Sequence, residues 1–278
     1  MTSQLCTFED RGLTLSYEIF GSGNRPILYL HGLFLDAHLN HRLAKDLARE
    51  GNRVILLDLP GQGLSDKPRT ASSHRMDSYA LSALNLLDKL GIEKVVIGGM
   101  SLGADVALQF ALLAPDRLQA MIIEMPVLEN ATPVAALLLA PILGVTHYGA
   151  GAMRGLAKLA SHVNRDRLGP LDQYFAPLLL DPDEMSAILH GLLIGPMAPS
   201  PQDRSKITQP TLVIGHRADL LHSFQDATDL VSQLPNARLL QARTMFELRA
   251  TPKRLTTEIA KFLDEVWSYP KSRAVNSL

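Results

Sequence analysis

Ser101 stands at the centre of Gly99-Met100-Ser101-Leu102-Gly103, and what surrounds that G-x-S-x-G spacing decides what the hydroxyl can do. The stretch Val95-Val96-Ile97 before it is β-branched and reads as a buried strand, while the alanine-rich segment from Ala104 reads as a helix. A strand that turns directly into a helix brings two backbones close together, so glycines are needed where a Cβ would collide. The residue at the corner is then strained, with its side chain held above the sheet at the N-terminus of the helix. A serine in that position is a nucleophile if a base can take its proton, and a simple helix cap if none can.

Histidine is the side chain suited to that proton. His222 lies three residues after Asp219 in ADLLHSF, just past the strand-like LVIG. His222 is the predicted base and Asp219 the predicted carboxylate that orients it; Glu124, ending the strand in IIEMP, is the alternative acid. His38 and His41 compete for the base role, and helix capping is the bland alternative for His222. The histidines at 147, 162 and 190 read as solvated or packed. His31-Gly32-Leu33-Phe34 follows another strand; its imidazole is expected to bond to nearby backbone, and the amides of Leu33 and Leu102 are expected to form an oxyanion hole.

The elements that must position these groups alternate along the chain. Leu5–Phe8 and Leu13–Phe20 flank Asp10-Arg11-Gly12 and read as an edge hairpin. Strands are predicted at Pro26–Leu30, Arg53–Leu57, Lys94–Ile97, Leu118–Ile123, Thr211–Ile214 and Arg238–Gln241. Helices are predicted at Ala37–Glu50, Ser78–Leu90, Ala104–Leu113, Phe224–Leu234 and Thr256–Trp267. Such alternation with short connections makes an α/β fold, a mostly parallel sheet with helices on both faces. Residues 126–205 break the rhythm, with many prolines, no β-branched strand and apolar positions such as Leu137–Leu139, Met153 and Tyr174–Phe175 in short helical pieces. They are expected to form a helical cap, or lid, over the crevice at the carboxyl edge of the sheet, with 1–125 and 206–278 as the core.

Composition narrows the function classes. A formal net charge of −1 with no basic block gives no electrostatic support for nucleic acid or a membrane surface as partner. One cysteine, Cys6, excludes an internal disulfide framework and a cysteine-rich metal site. The opening MTSQLCTFEDRG has no basic region followed by an apolar run, and Ala131 to Val145, the longest apolar stretch, is short for a bilayer and carries Pro133 and Pro141. The expectation is a cytoplasmic protein without cofactor or metal that acts on a small molecule, with a homodimer allowed.

Taken in order, His31-Gly32, D-x-P-G-x-G-x-S-D at 58–66, G-x-S-x-G at 99–103 and Asp219 after a late strand resemble the α/β-hydrolase family over about residues 24–266. The resemblance implies an eight-stranded sheet, a cap inserted after the sixth strand, and a Ser–His–Asp triad. Serine at 101 sets the chain apart from the dehalogenase and epoxide-hydrolase branches, which use aspartate there. One departure is serious. The family's histidine normally follows the last strand, but here that loop reads QARTMFELRATP, and no histidine occurs after His222. Some relatives carry D-x-x-H-P-F in the acid-bearing loop instead; here Ser223 replaces the proline. The expected function is hydrolysis of a small ester or thioester with an apolar part through an acyl-enzyme. The alternative is an impaired relative that binds a small apolar ligand or a partner.

Overall fold

The computed structural model describes residues 3–160, 180–195, 197–217, 219 and 221–268. Eight strands, β1 (Gln4–Asp10), β2 (Leu13–Phe20), β3 (Arg25–Leu30), β4 (Asn52–Leu57), β5 (Val95–Met100), β6 (Leu118–Glu124), β7 (Thr211–His216) and β8 (Ala237–Ala242), form one sheet in the order β1-β2-β4-β3-β5-β6-β7-β8. The β1–β2 and β2–β4 pairs are antiparallel and the other five are parallel. The edge hairpin turns through Arg11 and Gly12, both at positive φ (51° and 81°), the backbone that matches the twist of its strands.

Helices cover both faces because the central strands are apolar on both sides. Alternate residues divide between two cores. Leu28, Leu30, Val95 and Ile97 pack with α2 (Met76–Lys89) and α3 (Leu102–Leu113), whereas Ile27, Tyr29 and Val96 pack with α1 (His41–Arg49) and the closing helix.

Between β6 and β7 lie α4 (Thr132–Tyr148), α5 (Ala150–Ala160), α6 (Pro182–Ile194) and the single turn α7 (Pro201–Arg204). Tyr174, Phe175 and His162, assigned to this segment from sequence, lie outside the described residues. Among the described residues no single helix is long and apolar enough to cross a membrane; α4 and α5 pass that test only as a pair, bent by 96°. The chain finishes with α8 (Phe224–Gln233), α9 (Glu247–Ala250) and α10 (Lys253–Ser268).

The structure corrects several boundaries. The helix expected at Ala37–Glu50 is a 3-10 turn, Ala37–Asn40, leading into α1, because Asp36 caps a tight first turn by accepting the N–H of His38. α3 begins at Leu102 rather than Ala104, since the helix starts directly from the strained serine. The short helix α9 sits where sequence patterning suggests only a loop.

Candidate active site

The corner between β5 and α3 has the backbone its sequence requires. Ser101 is held at φ 54° and ψ −115°, a left-handed conformation that costs a non-glycine residue of order 1–3 kcal/mol. A Cβ on Gly99 would lie 2.3 Å from the Gly103 carbonyl carbon, and one on Gly103 would lie 2.5 Å from the Leu30 oxygen. Neither position admits a side chain, so the helix packs directly on the strand ends and lifts the hydroxyl to the sheet edge. The Ser101 N–H donates to the Glu124 carbonyl at 2.9 Å, tying the corner to the end of β6.

His222 Nε2 lies 2.9 Å from Ser101 Oγ, and His222 Nδ1 lies 2.7 Å from Asp219 Oδ2. The other carboxylate oxygen accepts the N–H groups of Leu221 (2.8 Å) and His222 (3.2 Å), so Asp219 folds its own loop into a turn that aims the imidazole. Burial alone would raise the Asp219 pKa; the bond from His222, the attraction between the two side chains and the two backbone donors hold it down to about 2 instead. The carboxylate is therefore charged across the neutral range. With Nδ1–H donating to it, Nε2 is left free to accept the Ser101 proton.

The other candidates are engaged elsewhere. Glu124, the alternative acid, accepts the Tyr29 hydroxyl at 2.8 Å on one oxygen and pairs with Arg249 on the other. Arg249 also donates to Asn40 Oδ1 at 3.0 Å. His41 Nε2 is 2.7 Å from Glu18, and the His38 ring packs against His41. His31 is fully buried: Nδ1 bonds the Gly32 carbonyl (2.8 Å) and Nε2 accepts the Leu59 N–H (3.0 Å). His147 packs on Tyr148, and His190 lies 3.4 Å from the Ser186 hydroxyl. Among the described residues the N–H groups of Leu33 and Leu102 meet no protein acceptor, and Leu102 opens α3 beside Ser101. Among the same residues no group of three or more His, Cys, Asp and Glu side chains is arranged to hold a metal ion.

The D-x-P-G-x-G-x-S-D segment braces this edge. The Asp58 carboxylate accepts the N–H groups of Ala37 (2.7 Å) and Leu64 (2.9 Å) and fills the space a Cβ on Gly63 would take. It thus pins the end of the Leu33 loop to the loop after β4.

Two residues near the triad escaped sequence reasoning. His216, the last residue of β7, is buried with its Nε2 against Met125 Sδ and 3.5 Å from Asp219 Oδ2. Burial pushes its pKa down, against the pull of the Asp219 carboxylate, and keeps the ring neutral at neutral pH. Its three-residue spacing to Asp219 repeats that from Asp219 to His222, a signal the sequence does contain. Arg249 carries no comparable signal, because its partner Glu124 is 125 positions away.

The family described as alpha/beta hydrolase fold matches residues 25–151. A 2-hydroxy-6-oxononadienedioate/2-hydroxy-6-oxononatrienedioate hydrolase of Dechloromonas aromatica is 37% identical over 118 residues, a match that spans 41% of this chain and only 40% of that protein. A hydrolase of the same name from Cupriavidus pinatubonensis is 30% identical over 239 residues, covering 79% of each chain. In structure, the enol-lactonase from Burkholderia xenovorans LB400 superposes with a TM-score of 0.74 over 93% of this chain and 99% of its own, at 18% identity, a likeness of fold. By sheet order, strained serine corner and a relative 30% identical over 79% of each chain, the chain belongs to the α/β-hydrolase fold family.

Proposed function

We propose that the chain is a serine hydrolase acting on a small ester or thioester with an apolar acyl or alcohol part. The observation that carries this reading is the continuous relay Ser101 Oγ–His222 Nε2, His222 Nδ1–Asp219 Oδ2, at 2.9 and 2.7 Å. His222 takes the Ser101 proton as Oγ attacks the carbonyl carbon, and Asp219 stabilises the imidazolium that results. The developing oxyanion is received by the Leu33 and Leu102 amides. The imidazolium then protonates the leaving group; water, activated by the same base, releases the acyl group and returns the serine.

Support for an apolar substrate comes from the helices between β6 and β7, read as a cap over the site. α4 contains no Asp, Glu, Lys or Arg, and a mostly apolar groove of about 440 Å³ runs along it between Val127, Pro133, Leu139, Leu192 and Met197, with Glu129 on its wall. The relatives' names describe dicarboxylates, which would need an uncompensated cation. Among the described residues, Arg249, a cation at the same sheet edge, is paired with Glu124, which favours a substrate without a carboxylate at that point. The intact relay also favours an enzyme over an impaired relative that only binds.

Short p-nitrophenyl esters should give a burst of one nitrophenolate per chain, and mass spectrometry of the quenched protein should place the acyl group on Ser101. Folded protein that shows neither burst nor acylation overturns the reading.

A further inference from the structure

One short segment of this chain, residues 219–226, carries the acid, the imidazole and the anchor of the inserted helices. Asp226, buried in the first turn of α8, accepts four N–H bonds from the chain leading into α4. These are Leu128 N at 2.8 Å, Asn130 N at 2.9 Å, Asn130 Nδ2 at 2.8 Å and Ala131 N at 2.9 Å. One residue earlier, the Val127 N–H donates to the buried Asp105 of α3 at 3.2 Å. The root of α4 is therefore fixed to α8 and α3. Val127, Ala131 and Ala135 form a small buried apolar cluster on that root, Ala131 and Ala135 being one turn apart on one face. Leu221 packs against this cluster. Leu221 is also the residue whose N–H bonds Asp219 and whose carbonyl leads directly to His222.

We propose that Leu221 is a positioning residue: seated on Val127, Ala131 and Ala135, it couples the root of α4 to the loop that holds His222 against Ser101, so a displacement of α4 is read by the base. The inference rests on the reading of Ser101 and His222 as nucleophile and base. With the acid and the imidazole on one loop, a shift of that loop moves both against Ser101. A hydrogen bond of 2.9 Å to Ser101 tolerates little movement, and misplacement by about 1 Å costs roughly 10²-fold in rate.

The test uses full-length protein, p-nitrophenyl acetate as a small substrate, and thermal unfolding to confirm the fold. Leu221→Ala should lower kcat about 10-fold or more with KM within about two-fold, because the loss lies in alignment rather than binding. Leu221→Met, which keeps the volume, should return kcat to near the parent value. The exchange Leu221→Ala/Ala135→Leu, which refills the contact from the other side, should recover much of the loss, as no general destabilisation would. Ala135→Val crowds the same contact from α4 and should lower kcat even if Leu221→Ala fails to fold. An unchanged kcat in both Leu221→Ala and Ala135→Val, a loss confined to KM, or a folded exchange variant without recovery overturns the proposal. His222→Ala is the control that separates the two levels: if it retains turnover, the underlying site reading has failed, whereas if it is dead while Leu221→Ala and Ala135→Val are both fully active, only the coupling has.

Discussion

The loop after β7 and the turn after β8 are built from similar parts and do opposite things. Each brings a basic side chain to a carboxylate near the end of the sheet: His222 to Asp219 in one, Arg249 to Glu124 in the other. In the first, the basic group is an imidazole with two distinct nitrogens, one bound to the acid and one at the serine. An imidazole so placed has one nitrogen to accept a proton while the other donates. In the second, the basic group is a guanidinium with no acceptor, held between Glu124 and Asn40. Burial works against its charge, and the Glu124 carboxylate more than offsets that. The comparison teaches that in this fold the place of a loop does not assign its chemistry. The turn after β8, where the resemblance places the family's histidine, instead holds Arg249 between Glu124 and Asn40, and the hydrogen bonds linking Ser101, His222 and Asp219 are made without it.

The comparison breaks most visibly at the imidazole. Ser101→Ala and His222→Ala should each lower kcat for a short ester by about 10³-fold or more while leaving thermal unfolding nearly unchanged. Asp219→Asn should cost about 10²-fold or more in kcat, since the amide cannot hold Nδ1–H in place or balance the imidazolium. Glu124→Gln should separate the two regions in the other direction. Leaving the Arg249 charge buried without its partner should cost about 3 kcal/mol in denaturant unfolding, with kcat changed only a few-fold in the folded enzyme. A collapse of kcat in that variant would show that the two carboxylates share one role.

The smallest effect is in acid stability. The Asp219 pKa in the folded chain, about 2, lies below its ordinary value of 3.8, so folding favours the charged form. That contribution is complete above about pH 4 and is lost as the pH falls toward 2; it amounts to about 2 kcal/mol. The difference in unfolding free energy between the parent and Asp219→Asn should therefore shrink over that interval.

Much of this was legible from sequence for reasons visible at particular residues. The β-branched strand before Gly98, the glycines at 99 and 103 and the alanines of α3 can pack in one way only, and the Ser101 corner follows from them. The alternation of strands and helices gives a mostly parallel sheet, and strand periodicity places its core. Asp219 and His222 were legible as candidates because they are close along the chain. Their aim was not, since it depends on a turn in which the carboxylate accepts the backbone of its own loop. Least legible were contacts between distant segments. Nothing local to Arg249 points to Glu124, and nothing local to Leu221 points to Ala131 and Ala135, because those partners are chosen by the packing of the finished fold. His216 could have been suspected from the repeated three-residue spacing, but only burial beside Met125 explains why its ring stays neutral.

The central claim is that the imidazole of the β7 loop, and no other, activates Ser101. Its most direct test is the second-order rate of Ser101 labelling by a small fluorophosphonate, measured in the parent, His222→Ala and Glu124→Gln proteins. The account predicts stoichiometric labelling of the parent on Ser101, a rate about 10³-fold lower for His222→Ala, and a rate within a few-fold of the parent for Glu124→Gln. Labelling of folded His222→Ala at the parental rate would contradict it.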